Sequence, residues 1–468
     1  MAKDLHAVIL PWFAFGHMIP CLQLSIALAK AGVHVSYVAA PRNIQRLPRI
    51  PPSIASLVRY VELPLPAVDG LPDGAEATVD LPFEKIQYLK VAYDLLKHPF
   101  KHIIVNQSPD WIITDWIASW TVDVARECSV PLLLFSVYSA ATICFLGPPK
   151  YLVGEGQKKG RATPESLTKP PQWVDFPSSV ALRGHEAVGF HAGFYGENAS
   201  GTTDAERVAK LFQGVQAVST RSCVELEGSY IDLLQKITNR PVIPAGLLPP
   251  EQEEEIESSD GRKWGGVFKW LHEQNPKSVV FVVFGSEYKL TRDQVHEIAY
   301  GLELSQLPFL WALRKPDWVI EDSDPLPSGF RDRTRGKGMV CLEWAPQQEI
   351  LAHPSVGGSL FHSGWGSIIE TLQYEHSLVV LPFINDQGLN ARLIVEKGLA
   401  IEVERREDGS FSRDDIAKAL TRAMVEEEGE RLRARVAEAV AIFRDGKLHQ
   451  DHYIGGLVEY LKKGTKRH

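Results

Sequence analysis

Short runs rich in Val, Ile and Leu alternate along the first half of the chain with longer stretches in which apolar residues recur at wider spacing. Leu5 to Pro11, Val33 to Ala39, Trp111 to Thr114 and Pro131 to Phe135 are the apolar runs that read as strands. Between the first two, Pro20 to Ala31 carries Leu22, Leu24, Ile26 and Leu28 and stops at Gly32, the signature of a helix with a glycine terminus. A strand, a helix and a strand in that order predict a βαβ unit, and its repetition predicts a parallel sheet clothed by crossover helices.

The pattern breaks between Pro249 and Arg262, where two prolines and a run of glutamates replace apolar periodicity. This stretch, 249–262, is the predicted linker, with 1–248 forming a first domain. After it, Ser278 to Phe284, Phe309 to Leu313, Gly338 to Leu342, Gly358 to Phe361 and Leu378 to Leu381 read as the strands of a second doubly wound sheet. A length of 468 residues suits two cores of similar size. No internal repeat is visible, so the halves are predicted to be alike in architecture only.

Charge narrows the function classes. Lys plus Arg number 50 against 58 Asp plus Glu, a net −8, which provides no global field for nucleic acid or an anionic membrane. The five cysteines, Cys21, Cys128, Cys144, Cys223 and Cys341, are scattered and lack C-x-x-C spacing, which points to a reducing compartment, the cytosol. No window reaches the roughly 18 to 20 apolar residues that span a bilayer. The run His6 to Pro11 lacks a cleavage-like site after it and reads as a buried strand rather than a signal segment. The sequons at Asn106 and Asn198 are accordingly read as chance matches.

The candidate chemistry concentrates between Trp344 and Gln387. Phe361-His362-Ser363-Gly364-Trp365-Gly366-Ser367 ends an apolar strand and opens a helix, where unpaired backbone N–H groups and the positive helix end favour a diphosphate. No Walker lysine is present. A second strand end, Gly285-Ser286, offers a similar turn. His17 follows the first strand and Asp115 follows another, which puts an imidazole and a carboxylate at strand ends of the first sheet. Asp322-Ser323-Asp324 matches an Asp-x-Asp metal pattern, but Pro325 and its acidic surroundings favour a solvated turn.

The Trp344 to Gln387 segment resembles the donor-sugar box of plant family-one UDP-sugar glycosyltransferases, and the resemblance extends over nearly the whole chain, including Pro11 to Pro20 and Phe284 to Glu287. It implies the GT-B fold, α/β with two Rossmann-like doubly wound domains facing across a cleft. The donor domain would be 263–450, and the segment 451–468 would return to the first domain as a final helix spanning Asp451 to Lys462. By the same resemblance Trp344 stacks on uracil, with Ala345 beside it, and Gln347 touches the nucleoside. His362, Gly364, Trp365, Gly366 and Ser367, with Gly285 and Ser286, surround the phosphates. Glu370 binds the ribose hydroxyls, and Asp386 and Gln387 bind the transferred sugar. His17 becomes the base that deprotonates the acceptor hydroxyl and Asp115 its orienting carboxylate. UDP-sugar is then a co-substrate, with no cofactor and no metal required.

Departures from the box bear on the donor. Gly366 stands in place of Asn, Glu375-His376-Ser377 in place of Gly-Val-Pro, and Leu381 in place of Trp. The aromatics Trp12, Phe13, Phe15, Trp116, Trp120, Tyr138, Phe190 and Phe194 are candidates for an apolar acceptor pocket. The runs 41–47 (PRNIQRL), 71–78 (LPDGAEAT) and 389–392 (LNAR) resemble the branch that extends sugars on flavonoid, saponin or diterpene glycosides, in which both rhamnosyl- and glucosyltransferases occur. Two other classes fit the sequence less well. A nicotinamide oxidoreductase would need G-x-G-x-x-G where Pro11 to His17 stands, and a noncatalytic UDP-sugar-binding protein would have no use for both His17 and Asp115.

Overall fold

The structure, a computed structural model, describes residues 4–154, 161–250, 261–320 and 324–465. Residues 251–260 of the expected linker, and Asp322-Ser323 of the Asp-x-Asp match, lie outside the described residues.

The first sheet contains β1 (His6–Leu10), β2 (His34–Ala39), β3 (Val58–Glu62), β4 (Trp111–Thr114), β5 (Leu132–Ser136), β6 (Ala217–Thr220) and β7 (Val242–Pro244). Their order is β3-β2-β1-β4-β5-β6-β7, with every pairing parallel. The second sheet contains β8 (Val279–Val283), β9 (Phe309–Ala312), β10 (Gly338–Cys341), β11 (Val356–Phe361), β12 (Ser377–Val380) and β13 (Ala400–Glu402), in the order β10-β9-β8-β11-β12-β13, again all parallel. Strands such as β1, β4 and β5 are buried almost throughout, as expected where helices cover both faces of a parallel sheet.

Four strands escaped the hydrophobic pattern: β3, β6, β7 and β13. The first helix also differs, running from Phe15 to Lys30 and therefore starting five residues before Pro20. Its opening bonds, from His17 N and Met18 N to the Ala14 carbonyl, form ahead of the proline, which lies inside the helix. His17 consequently sits on the first turn of a helix rather than in the turn before it. Gly32, at φ +82°, reverses the chain into β2.

Two compact units divide the chain discontinuously. The first comprises residues 1–178, 187–248 and 445–468, and the second 179–186 and 249–444. Segment 179–186 thus leaves the domain to which the sequence pattern assigns it, for an electrostatic reason. Arg183 pairs with Glu402 at 3.0 Å, and Arg392 pairs with both Glu186 and Glu402. Residues 445–450 likewise join the first unit. There a π-helical turn, Leu448–Ile454, runs into the helix Gly455–Thr465, which buries Leu457 and Leu461. The Trp111 indole N–H donates to the Leu461 carbonyl at 2.9 Å.

Candidate active site

In the first unit the strand order reverses between β1 and β4, whose ends pair Leu10 with Thr114. Such a switch point opens a crevice at the carboxyl ends of strands. The chain leaving β1 turns into the first helix and presents His17, and the residue after β4 is Asp115. His17 Nδ1 lies 2.6 Å from Asp115 Oδ2, which also accepts from the Trp12 N–H at 3.0 Å. The other oxygen, Oδ1, accepts from the Trp116 N–H at 2.7 Å. Asp115 is 1% exposed, so its carboxylate is held by these donors rather than by bulk water. An acceptor-only carboxylate requires the proton on Nδ1, which leaves the lone pair of the imidazole on Nε2.

The aromatic candidates divide into two groups. Trp116, Tyr138 and Phe194 form a contiguous cluster beside His17: Tyr138 meets His17 edge to face at 5.3 Å, Trp116 meets Tyr138 at 5.1 Å, and Trp116 stacks on Phe194 at 5.8 Å. Phe190 extends the stack from Phe194, and Phe15 is half-buried on the first helix. Trp12, Phe13 and Trp120 are buried: Trp12 and Phe13 pack edge to face on the buried Tyr93, and Trp120 packs on Phe100. The runs 41–47 and 71–78 meet each other. Arg46 grips Asp80 with two nitrogens at 2.8 and 3.0 Å, Asn43 donates to the Glu76 carbonyl at 2.8 Å, and the Thr78 N–H donates to the Phe13 carbonyl at 3.0 Å. The last of these contacts ties the second run to Phe13, just before the helix that carries His17.

The second unit repeats the device. Its order reverses between β8 and β11, which pair Val283 with Phe361, so Gly285-Ser286 and His362 to Ser367 emerge side by side. Ser363 adopts φ +60°, and Gly364 caps the helix Trp365–Leu372 without a side-chain cap hydrogen bond among the described residues. Gly285 and Gly364 leave room for the His362 ring, since a Cβ on either would come within 2.8 Å of it. Burial pushes the His362 imidazole down to about 4, against a hydrogen bond with the Val283 backbone, and its Nδ1 is buried without a protein partner among the described residues.

The remaining donor-box residues differ in what they present. Trp344 is 78% exposed, an open aromatic face. The Gln347 amide donates to Glu370 at 2.9 Å, which ties the two helices that carry them. Trp365 buries its side chain, leaving backbone as its contribution, and Ala345 packs partly into the core near Trp270. Asp386 accepts from Asn390 at 2.7 Å. Gln387 is buried, and its side-chain carbonyl accepts from the Phe383 and Ile384 N–H groups at 2.9 and 3.0 Å. It therefore shapes the turn before the helix with its oxygen.

Sequence reading overlooked Asn390 as a candidate residue. It also donates to the Ser363 carbonyl at 3.2 Å, joining the turn after β11 to Asp386, and its spacing of four from Asp386 was the available signal. Tyr288 stacks on Phe383 at 4.4 Å and Arg405 lies over Phe383 at 4.9 Å, contacts too distant in sequence to foresee. Among the described residues no group of three or more His, Cys, Asp or Glu is placed to hold a metal ion. No helix of the described residues is long and apolar enough to cross a membrane.

The model of the family described as UDP-glucoronosyl and UDP-glucosyl transferase matches residues 267–435. UDP-glycosyltransferase 91A1 of Arabidopsis thaliana is 42% identical over 98% of this chain and 96% of its own. Soyasaponin III rhamnosyltransferase of Glycine max is 37% identical over 98% and 96% respectively. Among solved structures, Glycyrrhiza uralensis UGT73P12 complexed with glycyrrhetinic acid 3-O-monoglucuronide superposes with a TM-score of 0.80 at 24% identity, covering 99% of this chain and 97% of that one. That likeness establishes the GT-B architecture of two Rossmann-like α/β units.

Proposed function

The chain belongs to the UDP-glycosyltransferase family, and from that premise we propose that it transfers a sugar from a UDP-sugar, with inversion, to a hydroxyl of a plant specialised metabolite. The acceptor hydroxyl belongs to a sugar already attached to a flavonoid or terpenoid, and the donor is UDP-glucose or UDP-rhamnose. The observation that carries the reading is the 2.6 Å contact between His17 Nδ1 and Asp115, because it directs the basic lone pair of Nε2 away from the carboxylate.

In the proposed reaction the acceptor O–H gives its proton to His17 Nε2 and the oxygen attacks the anomeric carbon from the face opposite UDP. The bond from that carbon to the phosphate oxygen breaks, and UDP leaves with the electron pair. Asp115 orients the imidazole and stabilises the imidazolium that forms. On the donor side Trp344 stacks on uracil, Gln347 and Glu370 take the nucleoside and ribose, and the backbone from Gly364 to Ser367, with His362 and the Gly285-Ser286 turn, takes the diphosphate. Asp386 faces the sugar hydroxyls, with Gln387 forming the wall behind. A soyasaponin rhamnosyltransferase among the relatives supports a terpenoid acceptor and a rhamnosyl donor. The cytosol is the proposed compartment.

Mass-resolved product formation tests this reading, with UDP-glucose and UDP-rhamnose each offered against flavonoid and terpenoid glycosides and their aglycones. Gain of one hexose or one deoxyhexose on a glycoside is the expected result. Transfer to aglycones alone would overturn the glycoside acceptor. Absence of product with every pair, alongside tight UDP binding, would favour a binding protein without catalysis.

A further inference from the structure

The proposed base already has a partner on its reactive side. Tyr138 Oη lies 3.2 Å from His17 Nε2. In a neutral imidazole whose Nδ1 proton faces Asp115, Nε2 carries one lone pair and no proton, and the contact is then the phenol O–H donating to the imidazole. The acceptor hydroxyl needs that same lone pair.

The surrounding backbone holds Tyr138 in place. Tyr138 follows β5 on a tight turn in which its own N–H donates to Ser136 Oγ at 3.3 Å, and Thr220 Oγ1 donates to its carbonyl at 3.4 Å. The next residue, Ser139, caps the helix Ala140–Leu146, and the buried carboxylate of Glu227 accepts from the Ala140 and Ala141 N–H groups at 3.1 and 2.9 Å. Trp116 supports the ring edge on at 5.1 Å. A phenylalanine would satisfy that packing, and the hydroxyl adds the contact with His17 Nε2.

We propose that Tyr138 is a positioning residue whose hydroxyl caps Nε2 of His17 in the free protein, locks the Nδ1–H tautomer, and is displaced by the incoming acceptor hydroxyl. The inference rests on His17 being the base. During displacement Tyr138 keeps its proton and rotates its O–H away, while the acceptor O–H takes its place as the donor to Nε2. An acceptor therefore binds by exchanging one hydrogen bond for another, and a hydroxyl that cannot reach Nε2 leaves the cap closed.

The test is Tyr138→Phe, read in two ways on the full chain. First, nitrogen NMR of histidine-labelled free protein follows the His17 Nε2 resonance, which is expected to move when the phenol donor is removed. Second, with UDP-glucose and a flavonol glucoside or a triterpene glucoside, whichever is turned over, the acceptor KM is expected to fall about threefold to tenfold, the worth of one neutral hydrogen bond. The change lies in KM rather than kcat. An unmoved Nε2 resonance, or an unchanged or higher KM, overturns the cap. A moved resonance together with undiminished turnover in His17→Ala would leave the cap standing and remove His17 as the base, so the two failures are distinguishable.

Discussion

At the residue scale the two candidate histidines are prepared for opposite tasks. His17 is held by a carboxylate, and replacing either partner isolates its role. Turnover is expected to fall about a hundredfold to ten-thousandfold in His17→Ala, the usual range for a lost general base, with UDP binding retained. Undiminished turnover would remove the mechanism. His362 is neutral when free, because burial holds it down to about 4. A diphosphate at its unpartnered Nδ1 needs a donor there, so donor binding is expected to raise its affinity for protons. A group whose pKa rises on binding takes up a proton and strengthens binding as pH falls. Calorimetry of UDP-glucose in two buffers of different ionisation enthalpy at pH 6 should show net proton uptake that disappears in His362→Gln. Zero uptake would place the diphosphate elsewhere. Both histidines were legible because each follows a recognisable apolar strand. The buried state of Gln387 and the brace supplied by Asn390 were not, since they depend on how one turn folds back on itself.

At the scale of elements, most of the readable strands were buried on both faces, where a parallel sheet demands an unbroken apolar run, and the half-buried edge strand β10 was read as well. The strands that escaped are short or mixed. β3 is an edge strand interrupted by the charged Arg59 and Glu62, β7 and β13 have three residues each, and β6 spells its buried pattern with Ser219 and Thr220. The departure Glu375-His376-Ser377 gains a structural meaning here. His376 is buried at the start of β12, with Nδ1 2.9 Å from Ser359 Oγ on β11 and Nε2 2.9 Å from the carbonyl of Leu351 in the helix Gln347–Ala352. It thus pins the Gln347 helix to the sheet. Burial first, and Lys277 second, push its imidazole down to about 3. The folded state therefore binds fewer protons than the unfolded one below the ordinary histidine range. Its stabilising contribution is complete above about pH 6.5 and declines as pH falls toward 3, by about 2 kcal/mol between pH 7 and pH 5. His376→Gln keeps one hydrogen bond and removes the titration. Urea midpoints should show it less stable at pH 7, by about 1 to 3 kcal/mol, but with a flatter loss down to pH 5. A slope equal to that of the parent would mean that other groups govern acid lability.

At the scale of the whole molecule, sequence order and structural membership part company. The shift in composition after Pro249 is where the sequence pattern places the boundary, and the second compact unit resumes at Pro249. Segment 179–186 was not legible, because Arg183 and Glu186 find their partners Glu402 and Arg392 more than two hundred residues away. The terminal segment shows the same separation with an energetic consequence. Leu461 is fully buried in the first unit, and the carbonyl of that same residue receives the Trp111 indole N–H from β4. Replacing Leu461 by Ala should cost about 2 to 5 kcal/mol, the usual price of a buried leucine truncation. That loss should be felt in the unit that carries His17, although all of the donor box precedes Leu461 in the chain. Hydrogen exchange resolves the two possibilities. Faster exchange is expected at the amides of β1 and β4, with β8 and β11 unchanged and the response to UDP-glucose retained. Equal loss of protection in both sheets would mean that the units unfold as one cooperative body, and that the last helix stabilises the donor site as much as the acceptor side.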